Sequence, residues 1–563
     1  MSLRQLLTYA HENPEVRELA DAAANGTRGG ERAFVSASLR PYLLAALLDA
    51  SPDKPALVVA GDDRAARDLA ADLKTFLGPR PVRFYPARGV RYESHLAPPP
   101  HLVGLRVAAL DALATGAAVV VASAAALAEK VPDPALRPHG FTIEKGGMLD
   151  LEETADQLVA CGYGRVDQVE DRGQFAIRGD ILDVYPATEE RAVRCELFDI
   201  EVERLTYFST FTQRSLEEAD RIEIAPAAEI GPEHRELAEM AALEEEGQRP
   251  DVAEVLPVDR FQDVMSLVPE EAIVAVAAEE EIEPSLADYW EEVTTSFHDK
   301  DAHHLYLSPD TLREQLDSRT SLRLSSISQD QPHEFRAQGA DTSARTLREA
   351  EPELEKLVRS GYRTVVAWSR RGEGERAAYN LSRLRADFLN GKPAAHEPGV
   401  TFAAASLREG FLAPGLKLAI LPEHRLLRRR RAERPSGPST GRGAIASFTD
   451  LRAGDAVVHE DHGIAKFTGF ETKTVGGVTR DYLELEYRDG DRVFVPSDQL
   501  YKISRYVGAD AGDPPLSKLG GSLWEKQKLR ARRAAEALAG ELINLYAERK
   551  RRAGYPFPPD TDW

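Results

Sequence analysis

The sequence predicts an α/β multidomain chain: an α/β domain interrupted by a β-rich insert, a second small α/β domain, a small β-barrel and then a long helix. Three observations carry that expectation. At roughly 150 residues per domain, 563 residues call for about four cores rather than one. Short apolar runs alternate with helix-period segments both near the start and again before residue 424. After residue 451 the hydrophobic period drops to two, the period of a half-buried strand.

Near the start the strand candidates are Ala33-Phe34-Val35, Ala56 to Ala60, Val82 to Tyr85 and Ala118 to Ala122. Between the second and third, Leu69, Leu73, Phe76 and Leu77 recur at helical spacing, predicting a helix over 63–77. Alternation of this kind implies a parallel sheet covered by helices, here over residues 1–150. From 151 to 228 short β-prone runs such as Asp180 to Tyr185 and Cys195 to Asp199 lie between turn signals like Arg178-Gly179-Asp180, predicting an antiparallel insert. The first domain resumes over 229–296, where Ala272 to Val276 is its clearest strand. The stretch 297–333 is polar and receives no assignment. A second α/β domain over 334–424 rests on Thr364 to Trp368 and Leu418 to Leu421.

Eight arginines fall between Leu421 and Gly454, and Pro435-Ser436-Gly437-Pro438-Ser439 follows the densest part of the run. Residues 425–447 therefore read as a solvated linker, with contact to DNA backbone or to an acidic partner as the other reading. From 448 to 510 the alternation in Tyr482-Leu483-Glu484-Leu485-Glu486-Tyr487 puts Leu483, Leu485 and Tyr487 on one face, with Gly476-Gly477 and Asp489-Gly490-Asp491 as hairpin turns. About five short strands are expected there. A long helix, Ser522 to Arg552, within 515–563, has Ser522 as N-cap, Glu525 three residues on, and Gly554 and Pro556 at its end.

Composition excludes several classes. With 71 Lys plus Arg against 93 Asp plus Glu, the net charge of −22 rules out a surface that coats nucleic acid by charge alone. Two cysteines, Cys161 and Cys195, cannot build a disulfide framework or a Cys-rich zinc domain, and read as small core residues. No apolar run approaches the roughly 18 residues of a membrane span, and the start lacks the pattern of a secretory signal, so the chain reads as cytoplasmic with no membrane partner.

The chemistry of hydrolysis is equally hard to find. A phosphate loop needs glycines for close backbone approach, a lysine for the outer phosphates and a hydroxyl for Mg²⁺. Gly391-Lys392 runs into Pro393, and Gly441 to Ser447 has no lysine. His459-Glu460-Asp461-His462 has i, i+3 spacing in a β context rather than the i, i+4 of a helical zinc site, and Asp461-His462-Gly463 reads as a turn. No catalytic residue, bound cofactor or metal is expected in this chain. It reads as a binding scaffold.

Several segments, in a fixed order, resemble one family. Gly162-Tyr163-Gly164-Arg165-Val166-Asp167-Gln168-Val169, Phe175 to Pro186 and Glu196 to Arg204 resemble the UvrB homology module, shared by the excinuclease subunit UvrB and the bacterial transcription-repair coupling factors. Gly454 to Ile464 and Tyr482 to Tyr487 resemble the coupling factors' CarD-like RNA polymerase interaction domain, an SH3/Tudor-like β-barrel. Lys518 to Trp524 and the helix after it resemble the entry to their motor. Where UvrB has its phosphate loop, Val35-Ser36-Ala37-Ser38-Leu39-Arg40 has neither glycine nor lysine, so the resemblance points to the coupling factors.

That resemblance implies a recognition half, ending before an ATP- and Mg-dependent motor that would grip double-stranded DNA. Its implied partners are the RNA polymerase β subunit, which pairs with an exposed strand edge, and UvrA. Thr479, Arg480, Asp481, Tyr482, Leu483 and Leu485 fall on the polymerase-binding positions, with Leu483 or Leu485 expected to be critical. Arg165, Arg172, Phe175 and Arg178 fall on the UvrA-binding positions, in a surface that a further domain masks in the full-length family. A CarD-type regulator acting alone, or a UvrB-type DNA-loading subunit, are the competing readings.

Overall fold

The computed structural model describes residues 3–427, apart from 27–28, 93–97, 190, 211–212, 214, 233–255, 298–301, 328–330, 341–343, 345 and 390–396. Beyond these it describes 454–459, 463–475, 478–496, 503–505 and 516–518. It divides into two compact units, Met1–Arg431 and Ala432–Trp563. The architecture is mixed α/β throughout the first.

The first α/β domain is built on a parallel sheet of seven described strands. Their order is His333–Phe335, Glu31–Val35, Leu322–Ser325, Ile273–Val276, Ala56–Ala60, Val119–Ser123 and Val82–Tyr85. Alternate residues of the central strands feed two separate cores, as the pleat requires. Val58, Val121 and Ala275 pack with Leu43, Leu69 and Leu73 on one side. Leu57, Val120 and Val274 pack with Leu110, Leu312 and Leu316 on the other. The helix Asp63–Leu77 forms where its spacing predicts, opened by Asp62, whose carboxylate accepts from the Ala65 amide.

This sheet takes in Leu322–Ser325 and His333–Phe335, beyond residue 296 where the sequence pattern ends the domain. Leu322-Arg323-Leu324-Ser325 alternates apolar and polar residues, yet all four are buried because it is an interior strand between Glu31–Val35 and Ile273–Val276. Its one charge, Arg323, is held by Asp317 at 2.5 Å and Glu279 at 3.4 Å.

The insert is a six-stranded sheet ordered Ser215–Glu218, Glu201–Phe208, Ala192–Phe198, Ile181–Val184, Gln174–Arg178, Gly164–Arg165, antiparallel except for its last pair. One face is covered by the helix Leu151–Ala160 and by the pair Phe141–Glu144 with Arg221–Ile224. The insert thus begins at Phe141, not 151, because its first strand pairs with one far along the chain. The cysteines are buried and free, and burial pushes the Cys161 thiol up to about 11 and that of Cys195 up to about 12.

The second α/β domain has six described strands in the order Gln338–Gly339, Phe411–Ala413, Leu418–Pro422, Arg363–Trp368, Gly399–Ala404, Ala386–Phe388. The last four are parallel. Glu351, buried on the helix Leu347–Arg359, accepts from the Ser382, Arg383 and Leu384 amides and from the Ser382 hydroxyl, pinning that loop.

The second unit contains an antiparallel sheet of five described strands, ordered Arg492–Pro496, Val478–Glu486, Gly463–Val475, Ala456–His459, Ile503–Arg505. The expected helix over 522–552 and residues 428–447 of the linker expected over 425–447 lie outside the described residues; the linker's first residues instead belong to a short helix, Glu423–Leu426, with Leu426 and Leu427 buried. Among the described residues no helix is long and apolar enough to cross a membrane.

Candidate functional site

The insert's motif residues are local architecture first. Gly162 has φ +90°, and a Cβ placed on it would lie 2.4 Å from the Ala228 Cβ. Only glycine lets the Ala227 and Ala228 amides reach the Cys161 carbonyl, at 2.8 and 3.1 Å. The next residue, Tyr163, is buried and joins two segments, donating to the Ala225 carbonyl at 2.7 Å and accepting from the Ala187 amide at 3.0 Å. Gly164-Arg165 then leaves this anchored corner as the sheet's edge strand, with the Arg165 side chain exposed and no hydrogen bond or ion pair to it among the described residues.

The other three expected UvrA-contact positions fare differently. Phe175 is fully buried in the core under the helix Leu151–Ala160 and cannot touch a partner; alternation along Gln174–Arg178 turns it to the opposite face from Arg178. Arg172 is half-buried, donating to the Glu189 carbonyl at 2.8 Å, with its guanidinium 5.8 Å from the Tyr185 ring centre. Arg178 lies on the other face, 2.5 Å from Asp183, which is itself buried and gripped from the next strand by Arg194 at 2.7 and 2.8 Å. The structure brings Arg178 together with Asp183 and Arg194, not with Arg165. Arg194 and Asp183 were missed in the sequence, yet a carboxylate inside Ile181-Leu182-Asp183-Val184-Tyr185 signals a buried charge that needs a partner.

The return of the insert to the first domain is ionic. Glu229 lies 2.7 Å from Arg88 and 3.2 Å from Arg106, and Arg106 also reaches Glu129 at 2.7 Å. Burial pushes the Glu229 carboxyl up, but the two guanidiniums outweigh it and hold it below the usual range. Glu129 has Arg106 as its one attractive cation, and burial wins, pushing it up to about 7.

In the second unit, Leu483 and Leu485 are fully buried with Phe467, Val495 and Ile503. This corrects the expectation that either leucine meets a partner directly: both fill the core of a small sheet. The strand Val478–Glu486 is also no simple edge, since Tyr482 to Glu486 pair with Pro496 to Arg492 on one side and with Gly463–Val475 on the other. Thr479, Arg480 and Asp481 have a described pairing on one side alone, with Thr474, Lys473 and Thr472. Among the described residues the ladder there is two-stranded, with backbone edges suited to strand addition. His459 pairs antiparallel with Gly463, the expected turn at Asp461-His462 lies outside the described residues, and no group of three or more possible metal ligands occurs among the described residues.

The turn after Glu31–Val35 sits at the carboxyl ends of the parallel strands, where α/β sheets bind ligands. The Leu39 and Arg40 amides donate to the Ser36 carbonyl at 2.9 and 3.2 Å, so these two donors of the turn are used within it. The adjoining cavity of about 180 Å³ is walled by Leu407, Arg408 and Phe411 of the second domain. Arg408 is 2.7 Å from Asp68, and its amide donates to Asp72 at 3.2 Å.

Comparison with known proteins agrees with this division. Residues 141–230 match the family model of the UvrB interaction domain, and residues 451–507 that of the CarD-like/TRCF RID domain. Over 99% of its length the chain is 28% identical to a transcription-repair-coupling factor of Bacillus subtilis (strain 168). It is 30% identical, over the same share, to those of Mycobacterium bovis and Mycobacterium tuberculosis. The chain spans about half the length of these relatives, 52% of the first and 50% of the other two.

Proposed function

We propose that this chain is the recognition half of a transcription-repair coupling factor. The sheet over 454–505 holds RNA polymerase stalled at a lesion, and the insert over 141–230 recruits UvrA for nucleotide excision repair. One observation carries the reading: two separate interaction modules, each matching its own family model, lie in one chain that aligns end to end with coupling factors. A stand-alone CarD-type regulator leaves the insert without a purpose, and a UvrB-type loader requires the phosphate loop that Ser36 to Arg40 does not supply.

The geometry supports this division of labour. The arm Thr468–Val475 with Val478–Asp481 offers main-chain donors and acceptors, so the polymerase β subunit joins by strand pairing while Leu483 and Leu485 keep the sheet rigid beneath. On the insert, Arg165 is an exposed cation with no ion pair among the described residues, and Arg178 is an oriented one, fixed by Asp183. Such charges set register and encounter rate more than affinity. In the full-length protein, ATP-driven movement on double-stranded DNA would release the polymerase that this half has marked. The test is binding of each partner to purified chain, with Arg165→Glu expected to lose UvrA alone and Arg480→Glu to lose polymerase alone. Loss of neither would remove the assignment.

A further inference from the structure

Five of the seven large apolar side chains that are exposed among the described residues belong to the insert, and three of them lie at one hairpin tip. Phe198 and Glu201 close a hairpin of the sheet around a two-residue turn, Asp199-Ile200, with Asp199 at φ +59°. The segment Gly146 to Leu149 runs along this tip as an added strand: the Gly146 amide donates to Val202 at 2.8 Å, the Leu149 amide to Ile200 at 2.7 Å, and Met148 pairs with Glu201. Phe198, Glu201 and Met148 therefore stand in one cross-strand row. Phe198 is 75% exposed, Met148 78% and Ile200 40%. Leaving that much apolar surface in water on a rigid tip marks a docking element, because a preorganised anchor loses little entropy when it is covered.

The charges around the tip identify its partner. Asp199, Glu201 and Glu203 are exposed on the hairpin, and Asp180 is brought beside it by the Leu197 amide, which donates to the Asp180 carbonyl at 2.9 Å. None of the four carboxylates has an ion pair among the described residues. An acidic ring of this kind repels nucleic acid and anionic membrane alike. Three side chains also fall far short of the roughly 800 Å² per partner that a stable dimer buries, which argues against a second copy as the occupant.

We infer that the Met148–Phe198–Ile200 tip inserts into an apolar socket with a Lys- or Arg-lined rim on UvrA, supplying the anchor of the interface that Arg178, on the same face of the sheet as Phe198, helps to orient. This rests on the UvrA reading above. Apolar anchors in such sockets carry most of the affinity while rim charges carry its salt dependence.

The test uses the whole chain and purified UvrA, with affinity measured at low and moderate salt. Met148→Ala combined with Phe198→Ala should weaken UvrA binding about 10- to 100-fold with an unchanged melting curve, since both side chains are exposed. Glu201→Lys should weaken it less and flatten the salt dependence. Unchanged affinity in the double variant, with Arg165→Glu still disruptive, would overturn the tip and leave the UvrA reading standing. A wild-type chain that does not bind UvrA would overturn both. Tighter binding by Glu201→Lys, or self-association that the double variant abolishes while UvrA binding persists, would also overturn the inference.

Discussion

Arg88 donates its Nε–H to Glu229 at 2.7 Å, and both side chains are about nine-tenths buried. Arg88 follows the strand Val82–Tyr85 of the first domain, while Glu229 closes the insert. The orientation of the insert on that domain thus depends on a charge pair with no water to replace either partner.

Glu229→Ala leaves Arg88 and Arg106 without their shared carboxylate, and is expected to cost about 3–5 kcal/mol. Differential scanning calorimetry of the purified chain measures it. A variant that melts with the wild type would mean the pair does not hold the insert.

Glu129 gives a pH signature of opposite sign. Its carboxyl is raised to about 7 in the fold, so its contribution to stability is complete below about 4.5 and is lost as pH rises through about 7. Glu229, held down, contributes above its ordinary range and loses that contribution on acidification. Melting temperature measured from pH 5 to 8 should fall more steeply for the wild type than for Glu129→Gln, whose amide carries no charge to bury. Parallel profiles would contradict this.

Charge reversal separates two arginines that look alike in the sequence. Arg178→Glu places a carboxylate against the buried Asp183 and should lower the melting temperature as well as UvrA binding. Arg165→Glu changes an exposed edge and should affect binding alone. Equal melting temperatures for the two variants would count against the Asp183 clamp.

Leu483→Arg buries a cation in a core of a few side chains and should unfold the 454–505 sheet, visible as lost near-UV dichroism together with lost polymerase binding. Arg480→Glu should lose polymerase with the spectrum intact. A folded Leu483→Arg protein would show that this core tolerates the charge.

Gly162→Ala meets both a left-handed backbone and the Ala228 Cβ, so a loss of roughly 1–3 kcal/mol is expected in thermal melts, with reduced UvrA binding following from a displaced Arg165 strand. Wild-type stability would mean that the corner relaxes without cost.

Much of this fold was legible because its strands announce themselves locally. Ala56–Ala60 and Val119–Ser123 are continuous apolar runs, and Asp63–Leu77 has a clean helical stripe. What stayed hidden depends on distant pairing. Phe141–Glu144 joins the insert only by meeting Arg221–Ile224, and Leu322–Ser325 is a central strand only because Glu31–Val35 and Ile273–Val276 flank it. The site residues divide the same way. The alternation that placed Leu483 and Leu485 on one face could not say whether that face met solvent or a core, and Phe175 looked like a contact only because it stands in a contact-bearing motif. The Phe198 tip carries no signal in composition, since its exposure arises from a turn and an added strand.

Whether one chain joins polymerase to the repair machinery through two separate modules is decided by capturing RNA polymerase and UvrA on the same purified chain while following ATP turnover. Both should bind together, neither should displace the other, and no ATP should be consumed. Absence of binding by both partners would contradict this two-module reading.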